Sequence, residues 1–246
     1  MDYDYKAGME RVSAVLNSKK NVKEIEKVPK IRNFTYKNGY YSNVTAIFID
    51  IKDSTKLFGE HKRTSTSKII RAFTSEIIEI LINDDNLREI GIRGDCVYGI
   101  YTYSSREENY ETAQRAIYIN TYLKMLNEML SEKKMDNIVA GIGVATGKEL
   151  IIKAGRKETD INNLVWIGET VTHASKFSGI ANRDVNKSII FSASFYNSVK
   201  NKLKEDSKLY IGFKSVSYHK DEDLKNYYSL DVKIKEFNQW IDGGMK

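Results

Sequence analysis

The chain has 246 residues, 41% of them hydrophobic, which is enough for one large domain or two small ones with an apolar core. Its 39 basic and 33 acidic residues give a net charge of +6, which suits an anionic ligand such as a nucleotide or, alternatively, reflects a lysine-rich solvated surface. A single cysteine excludes a disulfide framework and a cysteine-based zinc site, and the three scattered histidines show no metal-ligand spacing. No apolar stretch is long enough to predict a membrane span.

The N-terminus lacks the basic-then-apolar layout of a signal peptide, and no basic run with interleaved aromatic residues marks a nucleic-acid groove. We therefore expect a cytoplasmic, reduced protein that binds no nucleic acid. Residues 1–40 are polar and lysine-rich, and four apolar residues recur there at helical spacing: Met9, Val12, Val15 and Leu16. Pro29, the only proline, predicts a break after this segment. We interpret residues 1–40 as a partly helical extension and residues 41–246 as the main domain.

The segments from residue 44 onward give sharper predictions. "VTAIFIDI" is a near-continuous apolar run typical of a strand inside a sheet. Residues 64–82 place apolar side chains at helical spacing, and two short apolar runs flank the Gly94-Asp95 turn of a predicted hairpin. A second amphipathic helix covers residues 109–130. The core positions predicted for the two helices are Ile69, Phe73, Ile77 and Ile80, then Ala116, Ile119, Leu123, Leu126 and Leu130.

The remaining segments complete the fold prediction. "NIVAGIGVATG" is typical of a strand, "GETVTHASKFSGIA" of a helix opened by Gly168, and "SIIFSASFYNSV" of a strand that turns into a helix. The C-terminal tail predicts a terminal hairpin. The order β-α-β-β-α-β predicts an α+β, ferredoxin-like arrangement: an antiparallel-rich sheet flanked by helices, with additional C-terminal elements.

Two aspartates stand out in this topology. Asp50 ends a predicted buried strand and Asp95 lies at the hairpin tip, so both fall at one edge of the sheet. Paired carboxylates are the oxygen ligands that Mg²⁺ or Mn²⁺ requires while it also holds substrate phosphates. Taken singly, a strand-terminal aspartate is often a helix cap and a Gly-Asp pair is often only a turn. Together they favour a metal site, and the loop after Asp50, with Asp53, Ser54 and Thr55, favours phosphate contact or capping of the following helix.

Four segments together resemble the class III nucleotide cyclases: "FIDIKDSTKL", "IRGDCVYGIY", "GIGVATGK" (a strand and turn) and "WIGETVTHASKF". The resemblance extends from about Val44 to Val199. It implies that Asp50 and Asp95 bind two Mn²⁺ or Mg²⁺ ions, with the backbone carbonyl of Ile51 as a further ligand. It also implies a homodimer with sites at the subunit interface and cyclisation of a nucleoside triphosphate with release of pyrophosphate, and it makes residues 41–246 the catalytic domain.

The sequence departs from the purine-specific cyclases at both base-reading positions. The first, usually Lys or Glu, is Gly91, and the second, often Asp or Cys, is Val165. A purine would lose both hydrogen-bond partners there, which argues against cyclic AMP or cyclic GMP synthesis. In the helix signature, Thr172 stands where the family has a ribose-holding Asn and Lys176 where it has a transition-state Arg. Lysine keeps the positive charge without the planar fork, and the bulky Trp166 nearby reshapes the pocket.

Three segments on a short chain with an N-terminal extension are similar to the bacterial Pycsar pyrimidine cyclases: "FIDIKDST", "KIIRAFTSEII" and "IRGDCVYGIY". This resemblance implies synthesis of cyclic UMP, with cyclic CMP as an alternative, and an effector that binds the product in anti-phage defence. Arg93 and Tyr98 then become candidates for shaping the site, although a solvated hairpin arginine and a core tyrosine are equally good interpretations. Lys220 or Lys214 is a candidate for binding the terminal phosphates. A purine cyclase and an inactive nucleotide-binding regulator are also compatible with the sequence.

Overall fold

The computed structural model describes residues 2–57, 63–103, 105–156, 159, 161–210 and 216–246. Within them lie six α-helices: α1 (Tyr5–Leu16), α2 (Arg63–Ile82), α3 (Arg106–Glu132), α4 (Glu169–Ile180), α5 (Ala193–Glu205) and α6 (Lys235–Asp242). The strands of the same residues are β1 (Asn21–Glu24), β2 (Asn38–Ile51), β3 (Leu87–Arg93), β4 (Cys96–Tyr101), β5 (Ala140–Gly155), β6 (Asn162–Ile167), β7 (Ile189–Ser192), β8 (Leu209–Tyr210), β9 (Ser217–Asp221), β10 (Lys225–Leu230) and β11 (Lys233–Ile234).

The main sheet has the order β3-β4-β2-β5-β7-β10-β9, with β1 paired to β2 and β6 paired to β5. The β2-α2-β3-β4-α3-β5 part is the predicted ferredoxin-like unit, and its strand pairs are all antiparallel. Strands β7, β10 and β9 extend the sheet beyond β5, and β9 with β10 forms the predicted terminal hairpin. The predicted fold class is therefore confirmed.

Strand β2 is covered on both faces, which explains its near-continuous apolar sequence. Ile47, Ile49 and Ile51 point toward α2, α3 and α5 and belong to the larger of two hydrophobic cores. Val44 and Ala46 point to the opposite face, where α4 covers a smaller core. On α2 and α3 the predicted apolar positions are buried, except that Ile80 is only partly buried.

Helix α4 packs directly on β5 because two glycines leave room for it. A Cβ atom on Gly141 would lie 2.2 Å from the carbonyl oxygen of Ser178, and one on Gly143 would lie 2.1 Å from that of Ala174. Any larger residue would push the helix off the sheet. This close approach fixes the position of α4 relative to the end of β2.

The N-terminal segment has two parts with different surroundings. On α1 the apolar side chains remain exposed: Met9, Val12, Val15 and Leu16 are 56–78% exposed. Further along, β1 pairs in parallel with β2, and the side chains of Val28 and Phe34 are buried in the smaller core. The assignment of residue 40 as a domain boundary stays a prediction.

Three local predictions were wrong or incomplete. The strand at "GIGVATGK" does not turn at Gly147 but continues to Gly155, because β2 pairs with it over most of that length. Ser54 and Thr55 do not cap α2, since they lie in a short 3-10 turn and the helix begins at Arg63. Strands β1 and β6 were not predicted. No helix among the described residues is long and apolar enough to cross a membrane.

Candidate active site

Asp50 and Asp95 lie side by side at one end of the central sheet. Asp50 pairs with Cys96 in the β2–β4 ladder, and Asp95 precedes Cys96 in the two-residue turn of the β3–β4 hairpin. Gly94 opens that turn with φ of 64°, a conformation that favours glycine. Strand alternation directs Asp50, like Phe48, to the face covered by α4.

The electrostatics of this pair suit a divalent cation. Burial raises the pKa of Asp50, and the negative charge of Asp95 raises this pKa further, while Lys52 and Arg183 lower it. A bound cation would relieve the repulsion between the two carboxylates. Among the described residues no cluster of three or more His, Cys, Asp or Glu side chains occurs. Two carboxylates with a backbone carbonyl, water and substrate phosphates are a donor set that Mg²⁺ and Mn²⁺ accept, so the residues present fit such an ion.

The loop after Asp50 is a compact turn at the surface. Asp53 has φ of 49°, and its backbone carbonyl accepts a hydrogen bond from the N–H of Lys56. The exposed Asp53 carboxylate accepts a hydrogen bond from Lys56 Nζ at 2.7 Å, and this bond lowers the pKa of Asp53. Ser54 is partly buried and Thr55 is exposed. The backbone of Ile51 passes directly beside Asp50, while its side chain is buried in the larger core.

Two cationic residues of this region were missed by the sequence reasoning. Lys52 Nζ donates hydrogen bonds to the carbonyl oxygens of Ser178, at 2.8 Å, and Gly179, which ties the loop to the end of α4. Burial and the nearby Arg183 lower the pKa of Lys52 to about 8. Arg183 is exposed and acts electrostatically on Asp50 and Asp53. No sequence pattern links positions 52, 178 and 183, so only the fold brings them together.

Helix α4 presents Thr172 and Lys176 one turn apart on its exposed side. The hydroxyl of Thr172 donates to the carbonyl oxygen of Gly168 at 3.3 Å. The buried carboxylate of Glu149 caps the helix, accepting hydrogen bonds from the N–H groups of Thr170, at 2.6 Å, and Val171, at 3.2 Å. Glu149 therefore fixes the N-terminal end of α4 from β5.

The predicted base-reading positions lie in different surroundings. Gly91 pairs with Tyr98 across the β3–β4 hairpin, and the Tyr98 ring covers the Gly91 backbone. Val165 is 38% exposed, and alternation along β6 directs it away from the neighbouring Trp166. Trp166 and Tyr98 are instead brought together by Glu89, a residue that the sequence reasoning did not single out.

The remaining predicted residues are basic: Arg93, Lys220 and Lys214. Arg93 is exposed at the end of β3, and its positive charge acts on Tyr98. Lys220 is exposed on β9, while Lys214 lies outside the described residues. Lys225 of the terminal hairpin donates a hydrogen bond from Nζ to Glu169 of α4, and the Tyr227 ring packs against Phe177 of the same helix. Neither Arg93 nor Lys220 is brought into a described hydrogen bond with the aspartate pair.

A cavity of about 600 Å³ lies at the opposite end of α4 from Asp50. Its lining includes the first turn of α4, and neither Asp50 nor Asp95 belongs to it. The aspartates lie at the end of the sheet face that α4 covers, and Thr172 and Lys176 lie on the exposed side of that helix.

Comparisons with known proteins identify the family. Residues 36–215 match the family described as the adenylate and guanylate cyclase catalytic domain. A protein of Treponema porcinum named uridylate cyclase is 46% identical over 245 residues, which cover 100% of this chain and 83% of that protein. A uridylate cyclase of Gulbenkiania mobilis is 33% identical over 189 residues, which cover 74% of this chain and 73% of the relative.

Solved structures of cyclases share the fold. The adenylyl cyclase CyaB from P. aeruginosa aligns with a TM-score of 0.61 at 15% identity, covering 78% of this chain and 95% of that one. The guanylyl cyclase Cya2 aligns with a TM-score of 0.61 at 12% identity, covering 80% and 94% of the two chains. The chain therefore belongs to the family of adenylate and guanylate cyclase catalytic domains and is a nucleotide cyclase.

Proposed function

We propose that this protein converts UTP to 3′,5′-cyclic UMP and pyrophosphate. The observation that carries the proposal is the aspartate pair, in which Asp50 lies near the end of β2 and Asp95 in the β3–β4 turn. The same face of the sheet carries Gly91, a base-reading position that the Tyr98 ring covers. The names of the two relatives, both uridylate cyclases, support the same substrate. A cytidylate cyclase stays the alternative within the pyrimidine class.

Asp50, Asp95 and the backbone carbonyl of Ile51 are the groups that would hold the divalent ions, Mn²⁺ or Mg²⁺, two in each site. When bound, such ions neutralise phosphate charge and lower the pKa of the attacking hydroxyl. Burial and the negative charge of Asp95 raise the pKa of Asp50, and this supports the assignment. Asp53, Ser54 and Thr55 are proposed to line the phosphate loop, with Arg183 as a nearby positive charge.

The proposed reaction is an intramolecular displacement at phosphorus. The 3′-oxygen forms a bond to the α-phosphorus, the bond from that phosphorus to the oxygen bridging to the β-phosphate breaks, and pyrophosphate leaves with the electron pair. The proton of the 3′-hydroxyl is released to water. Catalysis of such a reaction consists mainly of positioning and of stabilising charge on the phosphate oxygens.

Thr172 and Lys176 are proposed to act on a substrate whose metal ions are held by the partner subunit of a homodimer. Both are exposed on α4, away from the chain's own core, which supports a role across an interface. Thr172 would hold the ribose by its hydroxyl, and Lys176 would stabilise negative charge on the phosphates as they separate. Lys220 is proposed to contact the terminal phosphates.

Tyr98, Trp166, Val165 and Arg93 are proposed to shape the base pocket. We also propose that cyclic UMP serves as a second messenger that activates a separate cyclic-nucleotide-binding effector in anti-phage defence, as the resemblance to the Pycsar cyclases implies. A neighbouring gene for such an effector would support this role.

The test is to incubate the purified protein with each of the four ribonucleoside triphosphates and Mn²⁺ or Mg²⁺, and to resolve the products by chromatography and mass spectrometry. The proposal predicts cyclic UMP from UTP, and cyclic CMP only as a minor product. Conversion of ATP or GTP with UTP untouched would contradict it. A dominant cyclic CMP product would instead identify a cytidylate cyclase that uses the same mechanism.

A further inference from the structure

Glu89 joins two aromatic side chains that come from different strands. Its Oε1 accepts a hydrogen bond from the Tyr98 hydroxyl at 2.7 Å, and its Oε2 accepts one from Trp166 Nε1 at 2.7 Å. Glu89 lies on β3, Tyr98 on β4 and Trp166 on β6. One half-buried carboxylate therefore links the central hairpin to the β5–β6 hairpin.

The Tyr98 ring occupies the space above Gly91. A Cβ atom on Gly91 would lie 2.7 Å from both Cζ and Oη of Tyr98, so a side chain at position 91 and this ring position exclude each other. Phe48, which pairs with Tyr98 from β2, stacks on the ring at 5.0 Å between centroids with 11° between planes. The ring fills the volume that a base-reading side chain on residue 91 would otherwise take.

The position of the ring depends on its hydroxyl group as well as on stacking. Burial and the carboxylate of Glu89 raise the pKa of Tyr98 to about 12, so the phenol stays protonated and donates to Glu89. Both groups that donate to Glu89 in the described structure are neutral. The hydrogen bond to Glu89 therefore fixes the hydroxyl end of the ring, and stacking on Phe48 fixes its plane.

We infer that Glu89 is a positioning residue for base selection: it holds the Tyr98 ring over Gly91, and the ring limits the site to a single-ring base. The ligand class is a pyrimidine nucleoside triphosphate, and the inference rests on the proposed function. Glu89 acts through Tyr98 and Trp166. Losing the link frees the ring to turn away and opens space for the second ring of a purine.

Three substitutions separate the position of the Tyr98 ring from the charge of Glu89. Glu89→Ala removes both hydrogen bonds. Glu89→Gln removes the charge but keeps the link, because its amide oxygen accepts from Trp166 Nε1 and its amide group donates to Tyr98 Oη. Tyr98→Phe keeps the ring and removes only its attachment to Glu89. Glu79→Ala, an exposed glutamate on α2, is the matched control, and thermal unfolding shows whether each variant folds.

The experiment measures kcat/KM for UTP and ATP with each variant, and the Trp166 fluorescence in a Trp240→Phe background, where Trp166 is the only tryptophan. In Glu89→Ala we expect the ATP-to-UTP ratio of kcat/KM to rise at least about tenfold. A steric misfit of even one small group in a binding pocket changes kcat/KM by about that factor. The ratio should rise less in Tyr98→Phe and change less than about threefold in Glu89→Gln. Trp166 emission should shift in Glu89→Ala but not in Glu89→Gln.

An unchanged ratio in Glu89→Ala and Tyr98→Phe, with a wild-type enzyme that selects UTP, would overturn the inference and leave the proposed function intact. A ratio in Glu89→Gln equal to that in Glu89→Ala would also overturn it, because the charge and not the position of Tyr98 would then select the base. A wild-type enzyme that prefers ATP would contradict the proposed function and this inference together.

Discussion

The two faces of strand β2 differ in what covers them. On one face, Ile47, Ile49 and Ile51 are at most 3% exposed beneath α2, α3 and α5. On the other face, covered by the single helix α4, Phe48 and Asp50 are only partly buried. The same strand thus has a fully buried set of side chains on one face and the partly buried Asp50 on the other. In the proposed mechanism, the carboxylates that bind the metal ions lie where burial is incomplete and where a partner subunit would reach them.

The largest expected effect is on activity, from the aspartate pair. Asp50→Asn or Asp95→Asn should lower kcat for UTP at least about a hundredfold, since charge stabilisation worth several kcal/mol depends on each carboxylate. Thermal unfolding should be unaffected or slightly improved, because burial and the charge of Asp95 raise the pKa of Asp50 and removing either charge lessens this cost. Asp223→Asn, an exposed hairpin residue, is the control. Activity within severalfold of wild type would remove the pair from the mechanism.

Substitutions under α2 should lower the stability of the protein more than substitutions under α4. Phe73→Ala, at a fully buried position of α2, should lower the free energy of unfolding by about 3–5 kcal/mol through lost burial and a residual cavity. Val171→Ala, at a partly buried position of α4, should cost about 1 kcal/mol or less. Urea titrations of both variants give the two values. Equal losses would mean that both faces stabilise the protein alike.

Lys176 tests the outer side of α4. Lys176→Ala should lower kcat about 10- to 100-fold, because in the proposed mechanism the ammonium group stabilises negative charge on the separating phosphates. Stability should change little, because the side chain is exposed. Lys176→Arg should retain activity, since the guanidinium keeps the charge and adds a planar pair of donors. Steady-state kinetics with UTP measure both. A Lys176→Ala variant with wild-type kcat would show that this face of α4 does not reach the substrate.

The smallest effect concerns the cap of α4. Burial raises the pKa of Glu149 above its ordinary value of 4.5, against the N–H groups of Val171 and Thr170, while the charge of Glu169 raises it further. Because the folded state binds this proton more tightly, the stabilisation is complete below pH 4.5 and is lost as the pH rises through the folded pKa. Glu149→Gln keeps the acceptor oxygen and cannot ionise.

The stability of Glu149→Gln relative to wild type should therefore increase from pH 4 to pH 7, which melting temperatures across that range would show. A constant difference would mean that folding does not raise the pKa of Glu149. Kinetics at pH 7 should be nearly unchanged, because the cap retains its geometry.

Much of the fold was predictable because it depends on local periodicity. The helices around Phe73 and Leu123 and the strand ending at Asp50 carry strong apolar patterns, and the ferredoxin-like topology follows from their order. Strands β1 and β6 are short and largely polar or exposed, so no pattern marks them. The contacts of Glu89 and Lys52 join segments 77 and 126 residues apart, which single-sequence patterns do not encode.

The most direct test of a site shared between subunits is complementation between two impaired variants, one in the aspartate pair and one on α4. If each site combines the aspartates of one subunit with α4 of the other, then an equal mixture of Asp50→Asn and Lys176→Ala chains, refolded or co-expressed, contains mixed dimers with one intact site. We expect the mixture to make cyclic UMP from UTP at up to about a quarter of the wild-type rate, although neither variant alone approaches it. A mixture no more active than its better component would contradict a site shared between two subunits.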